Sequence, residues 1–331
     1  MSGGKSVHIK AFPRVHVTLI NMTKKGIRLN GGIGFSIKNP EIEIHISKSE
    51  SFEITDDRQQ PIDESQLGRL STKIRNLIKD LSLKLSIKVR VTGSMPVHSG
   101  FGSGTILRLA CIEGLLLINE VDYDEPLLVK LSGRGGTSGI GIRTYFSGGY
   151  VFDMGHKNFG QMLLPSSNKE IDTLQSLLIS KGTMPAWKFG ICFPKKLLTK
   201  AYSEEDFFLK NANITEHAVY KTLYHTMTEV FCGIKELDKF AFETGINSLQ
   251  ECTWKKSERK LYLGSLQHAE KILSQTGATM LGMSSLGPGL FFWGATDVKD
   301  IITMAEPLLP DWHFIDTVAN NQSRILIVKN A

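Results

Sequence analysis

A chain of 331 residues, 41% hydrophobic and 22% charged, has the composition of a folded globular protein with material for two lobes, which excludes a disordered or collagen-like chain. Its net charge of +6 and pI near 9.0 favour an anionic ligand, although scattered solvated lysines would give the same balance. No Lys/Arg run interleaves with aromatic residues and no run of about 18 apolar residues occurs, so neither a nucleic-acid nor a membrane partner is expected.

In chain order, Arg14-Val15-His16 lies on a strand, and Gly26-Ile27-Arg28-Leu29-Asn30-Gly31-Gly32-Ile33-Gly34 follows. Ile42, Ile44 and Ile46 alternate with Glu41, Glu43 and His45, and Leu85, Ile87, Val89 and Val91 repeat that two-residue period. Between these strands, Leu67, Leu70, Ile74, Leu77, Ile78 and Leu81 form one helical stripe, with a capping turn over Pro61–Ser65. The apolar stretch Ile106–Ile118 reads as a buried helix, Glu125–Ser132 as a short one, and Tyr150–Asp153 as a strand. The second half is expected to hold a strand at 187–193, helices over about 215–275, strands at 278–283 and 290–293, a helix at 298–308 and a strand at 324–328. That order fits a split β-α-β, ferredoxin-type α/β sandwich. Pro165, Ser166, Ser167, Gly182 and Pro185 mark a boundary between lobes spanning 1–165 and 186–331. Cys111, Cys192, Cys232 and Cys252 form no CxxC pair, which argues against zinc ribbons and a disulfide framework. The N-terminal MSGGKSVHIK has no apolar signal-peptide stretch, so the cytosol is the expected location.

Three glycine-rich loops carry the candidate chemistry. The first, Pro96-Val97-His98-Ser99-Gly100-Phe101-Gly102-Ser103-Gly104-Thr105, joins a strand to a helix. Its glycines let successive N–H groups face one anion, and the helix adds its N-terminal dipole and the hydroxyls of Ser103 and Thr105. No Gly-Lys-Ser/Thr follows, so it is not a Walker loop; a plain structural turn is the competing reading. The second loop, Gly133-Arg134-Gly135-Gly136-Thr137-Ser138-Gly139-Ile140-Gly141-Ile142-Arg143, sets two arginines beside backbone stripped of side chains, suited to phosphate or carboxylate or else to a surface loop. The third is Gly282-Met283-Ser284-Ser285-Leu286-Gly287-Pro288-Gly289. His16 beside Arg14, and Asp153 and His156 at a strand end, are further candidates, with an ordinary structural place as the alternative for each.

PVHSGFGSGT resembles the phosphate loop of the galactokinase, homoserine, mevalonate and phosphomevalonate (GHMP) kinase superfamily, and SSLGPG resembles its C-terminal glycine motif. PRVHVTLINM, RLNGGIGFSI, HSGFGSGT, GRGGTSGIGI, SGGYVFDMGH and GMSSLGPGLFF together, in order along almost the whole chain, resemble the β-ribofuranosylaminobenzene 5′-phosphate synthase family. The resemblance implies a two-lobe α/β (α+β) fold, an N-terminal lobe like ribosomal protein S5 and a C-terminal ferredoxin-like sandwich. It implies that phosphoribosyl pyrophosphate donates ribose 5-phosphate to a ring carbon of 4-aminobenzoate, with loss of carbon dioxide and pyrophosphate, on the way to a methanopterin-type carrier. It further implies Mg²⁺, with unknown protein ligands, and a homodimer. On this reading Gly100, Gly102, Ser103, Gly104 and Thr105 hold pyrophosphate, and Ser99, Ser284, Ser285 and Gly287 are further substrate-binding candidates. Arg14, His16 and Arg28 stand near the ribose phosphate or the acceptor carboxylate. Arg134 and Arg143 offset phosphate charge, Gly135, Gly136, Thr137 and Ser138 are substrate-binding candidates of the same loop, and Asp153 and His156 line the reacting end.

The sequence departs from the kinases in one respect. Where mevalonate-type kinases carry an aspartate for the acceptor hydroxyl, this chain has Gly141, and no carboxylate occurs from Leu127 through Ser132 where their magnesium ligand is expected. Phosphoryl transfer depends on such positioning and electrostatics, so an ATP-dependent small-molecule kinase is disfavoured. A synthase that uses the same donor with a heteroaromatic acid, and a silent binding protein on the same fold, remain as alternatives.

Overall fold

Alternation of apolar and polar residues builds the first sheet, as the sequence predicts. The computed structural model describes residues 5–160, 162–165, 176–262 and 264–330; the first half of the predicted linker, 166–175, lies outside the described residues. In chain order the strands are β1 (Ser6–Ala11), β2 (Arg14–Asn21), β3 (Arg28–Ser36), β4 (Ile42–Ser49), β5 (Glu53–Asp56), β6 (Ser86–Gly93), β7 (Tyr150–Asp153), β8 (His156–Lys157), β9 (Leu178–Gly182), β10 (Lys188–Pro194), β11 (Ala278–Met283), β12 (Leu290–Gly294), β13 (Trp312–Val318) and β14 (Ile325–Lys329). The helices are α1 (Glu64–Asp80), α2 (Ser103–Ile118), α3 (Glu125–Ser132), α4 (Ile140–Ser147), α5 (Glu204–Asn211), α6 (Glu216–Tyr224), α7 (Cys232–Glu236), α8 (Lys239–Gln250), α9 (Thr253–Arg259), α10 (Ser265–Gln275) and α11 (Val298–Ala305), with a π-helical stretch, His225–Phe231, between α6 and α7.

The first sheet has the order β14-β1-β4-β6-β5. Val7 and Ile9, Ile42, Ile44 and Ile46, and Ile87, Val89 and Val91 form its buried face, in one cluster with Leu70, Ile74 and Leu77 of α1 and the apolar body of α2. Helix α1 starts where the capping turn predicts: Asp63 accepts the Gln66 amide at 2.7 Å. A second sheet runs β2-β3-β7-β9, with β8 paired to β3, and α4 lies against β2, β3 and β7.

The third sheet has the order β11-β12-β10-β13, every neighbour antiparallel. Helices α5 to α10 separate β10 from β11, and α11 separates β12 from β13, which is the ferredoxin-type plan read from the sequence. Its fourth strand, however, is β13 and not the segment 324–328. The predicted strand there becomes β14, and it pairs with β1 in the first sheet. The mixed pattern of Trp312-His313-Phe314-Ile315-Asp316 concealed β13, and an apolar run such as Ile325–Val328 reveals a strand but not its partner.

A buried carboxylate ties that returning strand down. Glu113, inside α2 and fully buried, accepts hydrogen bonds from Tyr123 Oη at 2.7 Å, Tyr145 Oη at 2.6 Å and Arg324 Nε at 3.0 Å, with Arg324 Nη2 also donating to it. Removing one partner of such a pair leaves the other uncompensated. Glu113→Ala should therefore lower unfolding stability by about 3–5 kcal/mol, read as a shift in denaturant midpoint at unchanged slope. A loss below about 1 kcal/mol, the size of a surface pair, would contradict this role.

Candidate active site

The site grows from the end of β6, where the chain leaves the first sheet and turns into α2. Gly102 caps α2 with φ +89° and offers no side-chain acceptor, and the first turn carries no acidic residue. The amides of Ser103 and Gly104 therefore open the helix without a capping side chain, the arrangement that receives an anion. The third loop locks this turn by backbone contact. Gly289 N donates to Ser99 O at 3.1 Å, and Ser284 Oγ donates to Gly100 O at 2.8 Å while accepting from His16 N at 3.0 Å. Ser285 N donates to His16 O at 2.9 Å. A Cβ on Gly287 would stand 2.0 Å from Gly100 N, so glycine is what permits the two loops to touch.

The three loops meet around a cavity of about 460 Å³, a size suited to a small-molecule ligand. Of the residues singled out in the sequence, Arg14, His16, Gly100, Gly102, Ser103, Gly104, Thr105, Arg134, Gly135, Thr137, Ser138, Ser285 and Gly287 line it. Arg14 and Arg134 converge on the start of α2. Arg134 Nη2 donates to Thr105 Oγ1 at 2.9 Å, and Arg14 Nη1 donates to Gly100 O. Arg14 Nε is buried and makes no hydrogen bond among the described residues. Burial and then the charge of Arg134 bring the Arg14 guanidinium down to about 10. Two cations pressed together with a spare buried donor mark a place for an anion. Gly141 lines the same region: a Cβ there would lie 3.5 Å from Arg14 Nε and 3.8 Å from Thr105 Cγ2.

His16 is buried. Burial first, then Arg14 and Lys255, hold its imidazole well below the ordinary histidine range, so it is neutral at neutral pH. Its Nε2 stands 3.2 Å from Ser138 Oγ.

The remaining predicted residues do not reach the cavity. Asp153 is fully buried, with Oδ2 accepting from Gly139 N and Oδ1 from Gly155 N, each at 2.9 Å. It braces the second loop from behind, and burial raises its carboxyl to about 6. His156 is buried on β8 opposite Leu29. Arg28 Nε donates to Met154 O at 2.8 Å and its Nη2 to Gly155 O at 2.5 Å, stapling β3 to the β7–β8 turn. Arg143 Nη2 donates to Ser176 O at 2.9 Å. Ser99 and Ser284 spend their hydroxyls on backbone carbonyls, and Gly136 is buried outside the lining. A strand end or a loop arginine was signal enough to nominate these residues, but not to say which way each side chain turns.

Sequence reasoning missed the far wall. Glu204, Glu205 and Phe208 of α5, Glu258 of α9 and Leu286 line it, and Gln66, Arg69 and Arg108 line the side formed by α1 and α2. Behind this wall Lys255 is fully buried. Its Nζ lies 2.8 Å from Glu258 Oε2 and donates to Met283 O at 2.7 Å, at the root of the third loop. Burial pushes the Lys255 ammonium down and the Glu258 carboxyl up, each opposed by the other's charge. Glu258 Oε1 also accepts from Trp254 Nε1 at 2.7 Å. Arg108 had a signal: it interrupts the apolar run of α2.

Among the described residues, no three imidazole or carboxylate groups gather into a metal site at the phosphate loop. Glu258 is engaged by Lys255 and Trp254, Glu204 by Lys200 at 2.5 Å, and the loop carries no carboxylate, its His98 standing 2.7 Å from Asp63.

No protein-family model matches the chain. It is 27% identical over 300 residues to β-ribofuranosylphenol 5′-phosphate synthase of Methanothermobacter thermautotrophicus, covering 86% of this chain and 87% of that protein. Its identity to the protein of the same name from Methanocaldococcus jannaschii is 27% over 326 residues, covering 93% and 96%. Homoserine kinase from Cytophaga hutchinsonii shares the fold with a TM-score of 0.67 at 16% identity, over 97% of each chain. Mevalonate diphosphate decarboxylase from Staphylococcus aureus does so with a TM-score of 0.63 at 12% identity, over 98% of each. The resemblance read in the glycine loops therefore extends over most of the chain, which is similar to the β-ribofuranosylphenol 5′-phosphate synthases over 84–93% of its length and shares the fold of homoserine kinase and mevalonate diphosphate decarboxylase.

Proposed function

We propose that the protein transfers a ribosyl 5-phosphate group from phosphoribosyl pyrophosphate to a ring carbon of an aromatic acid, with loss of pyrophosphate and carbon dioxide, in the synthesis of a methanopterin-type carrier. The observation that carries this reading is the pair Arg14 and Arg134 at the uncapped start of α2, with glycine where a kinase needs its aspartate. The acceptor carries a para electron donor. The sequence resemblance implies the amine of 4-aminobenzoate, whereas the word phenol in the relatives' name indicates a hydroxyl in their product.

In the step itself the bond from the sugar C1 to the pyrophosphate oxygen breaks and its electron pair leaves with pyrophosphate. The amides of Ser103 and Gly104, the hydroxyls of Ser103 and Thr105 and the two guanidiniums meet the charge that develops there. Mg²⁺, bound with pyrophosphate at Gly100–Thr105, would share the charge that develops on the leaving group. The para donor raises electron density at the ring carbon that bears the carboxylate, and that carbon bonds to C1. The ring–carboxylate bond then breaks and returns its pair to the ring, so carbon dioxide leaves where a proton otherwise would, and no general base is required. Burial and the charges of Arg14 and Lys255 make His16 a weak base, which suits a step that removes no proton. Phe208 and Leu286 give the ring an apolar wall, and the carboxylates of α5 and α9 can accept from its N–H or O–H.

Ser103→Ala with Arg134→Ala tests the phosphate assignment. Each lost hydrogen bond to a charged group costs about 1.5–3 kcal/mol, so the double variant should bind phosphoribosyl pyrophosphate at least about tenfold more weakly by calorimetry. Unchanged affinity and turnover would refute the assignment.

A further inference from the structure

The outer face of the first sheet holds a side-chain cluster that the cavity does not use. We propose that His8, Glu43 and His45 bind one divalent transition-metal ion of the zinc class. The register places His8 directly opposite His45 across β1 and β4, with Glu43 two residues along β4 on the same face. Glu43 Oε2 lies 3.5 Å from His8 Nε2 and 3.8 Å from His45 Nε2. One ligand atom from each residue falls within 4.8 Å of the others, and no other group of three such residues does so among the described residues. His8 Nε2 is buried and makes no hydrogen bond among the described residues.

A tetrahedral centre with metal–nitrogen bonds of about 2.0–2.1 Å sets neighbouring donors about 3.3 Å apart, so the Glu43 spacings of 3.5 and 3.8 Å must close by about 0.2 and 0.5 Å, and the spacing between the two imidazoles, within 4.8 Å, by at most about 1.5 Å. The two rings stack at 4.2 Å with 7° between their planes, and a turn of each about its Cβ–Cγ bond aims both nitrogens at one point. Two imidazoles and one carboxylate, with positions left for water, favour zinc, nickel or copper over magnesium and calcium.

The cations around the cluster are mostly engaged elsewhere. Lys10 lies 2.6 Å from Glu41 and 3.8 Å from Glu43, Arg90 Nε 2.7 Å from Asp57, and Lys88 3.0 Å from Glu53; Lys329 completes the surround. An ion held here straps β1 to β4 and binds only the folded chain, so it stabilises the protein by mass action.

The test is a calorimetric titration of ZnCl₂ into tag-free, chelator-stripped protein, paired with thermal melts. About one equivalent should bind and raise the melting temperature, whereas MgCl₂ at the same concentration should not. Losing a ligand should weaken binding at least as much as losing an outer-shell partner, at least about tenfold. His8→Ala and His45→Ala should each do this and remove the zinc-dependent rise, with Glu43→Gln weakening it and pyrophosphate release unchanged in all three. Because the readout is the difference with and without zinc, a variant that is itself less stable still reports. No zinc binding, or variants that bind as the parent does, would overturn the proposal.

Discussion

Gly141→Asp is expected to weaken binding of phosphoribosyl pyrophosphate about 10- to 100-fold while leaving the fold intact. The position accepts a side chain: its Cβ would meet Arg14 Nε at 3.5 Å and Thr105 Cγ2 at 3.8 Å, both ordinary contacts, and its backbone is not left-handed. It lies in the first turn of α4, where the helix dipole favours a negative charge. The new carboxylate would pair with the Arg14 guanidinium and take away one charge-assisted contact to phosphate, worth about 1.5–3 kcal/mol, or about one to two powers of ten. A melting temperature equal to or above the parent's, with donor affinity reduced in calorimetry, is the expected pair of results. Undiminished affinity would mean that Arg14 does not meet the donor.

Gly287→Ala should act by displacement instead of charge. Its Cβ would stand 2.0 Å from Gly100 N and 2.2 Å from the Ser99 carbonyl carbon. Both are backbone atoms, so no flexible side chain can give way, and the third loop must separate from the phosphate loop. Overpacking of this kind costs about 1–3 kcal/mol of stability. A displacement of about 1 Å in a site that works by alignment costs about 10²-fold in rate. Steady-state kinetics should therefore show the loss in kcat/KM far exceeding what the small drop in melting temperature suggests. Near-normal turnover would show that contact between the two loops is not needed.

These two glycines illustrate what the sequence could and could not convey. The loops announced themselves because each is a dense run of glycines between regular elements, and their order along the chain carried the family resemblance. That Gly287 touches Gly100 was not legible, since the contact joins residues on opposite sides of the chain's longest helical region. The first sheet and α1 followed from apolar periods of two and of three to four residues. Lys255 and Glu258 stayed hidden because charged residues within Lys255-Lys256-Ser257-Glu258-Arg259 read as a solvated helix face, and only the packing of α9 under the third loop buries two of them. Asp153 and His156 failed in the opposite way. They sit where strand ends often carry function, but Asp153 turns back to hold the amides of Gly139 and Gly155. Backbone demand settled its direction, and no local pattern encodes that.

Product analysis tests the central claim most directly. The protein is incubated with phosphoribosyl pyrophosphate and, separately, 4-aminobenzoate and 4-hydroxybenzoate. Released pyrophosphate and carbon dioxide are counted, and the adduct is weighed by mass spectrometry. Equal amounts of both, dependent on the acceptor, together with an adduct that has lost its carboxylate and carries the sugar on ring carbon, are predicted for at least one acid. Release of pyrophosphate to water alone, or a donor left intact with every para-substituted acid, would contradict the account.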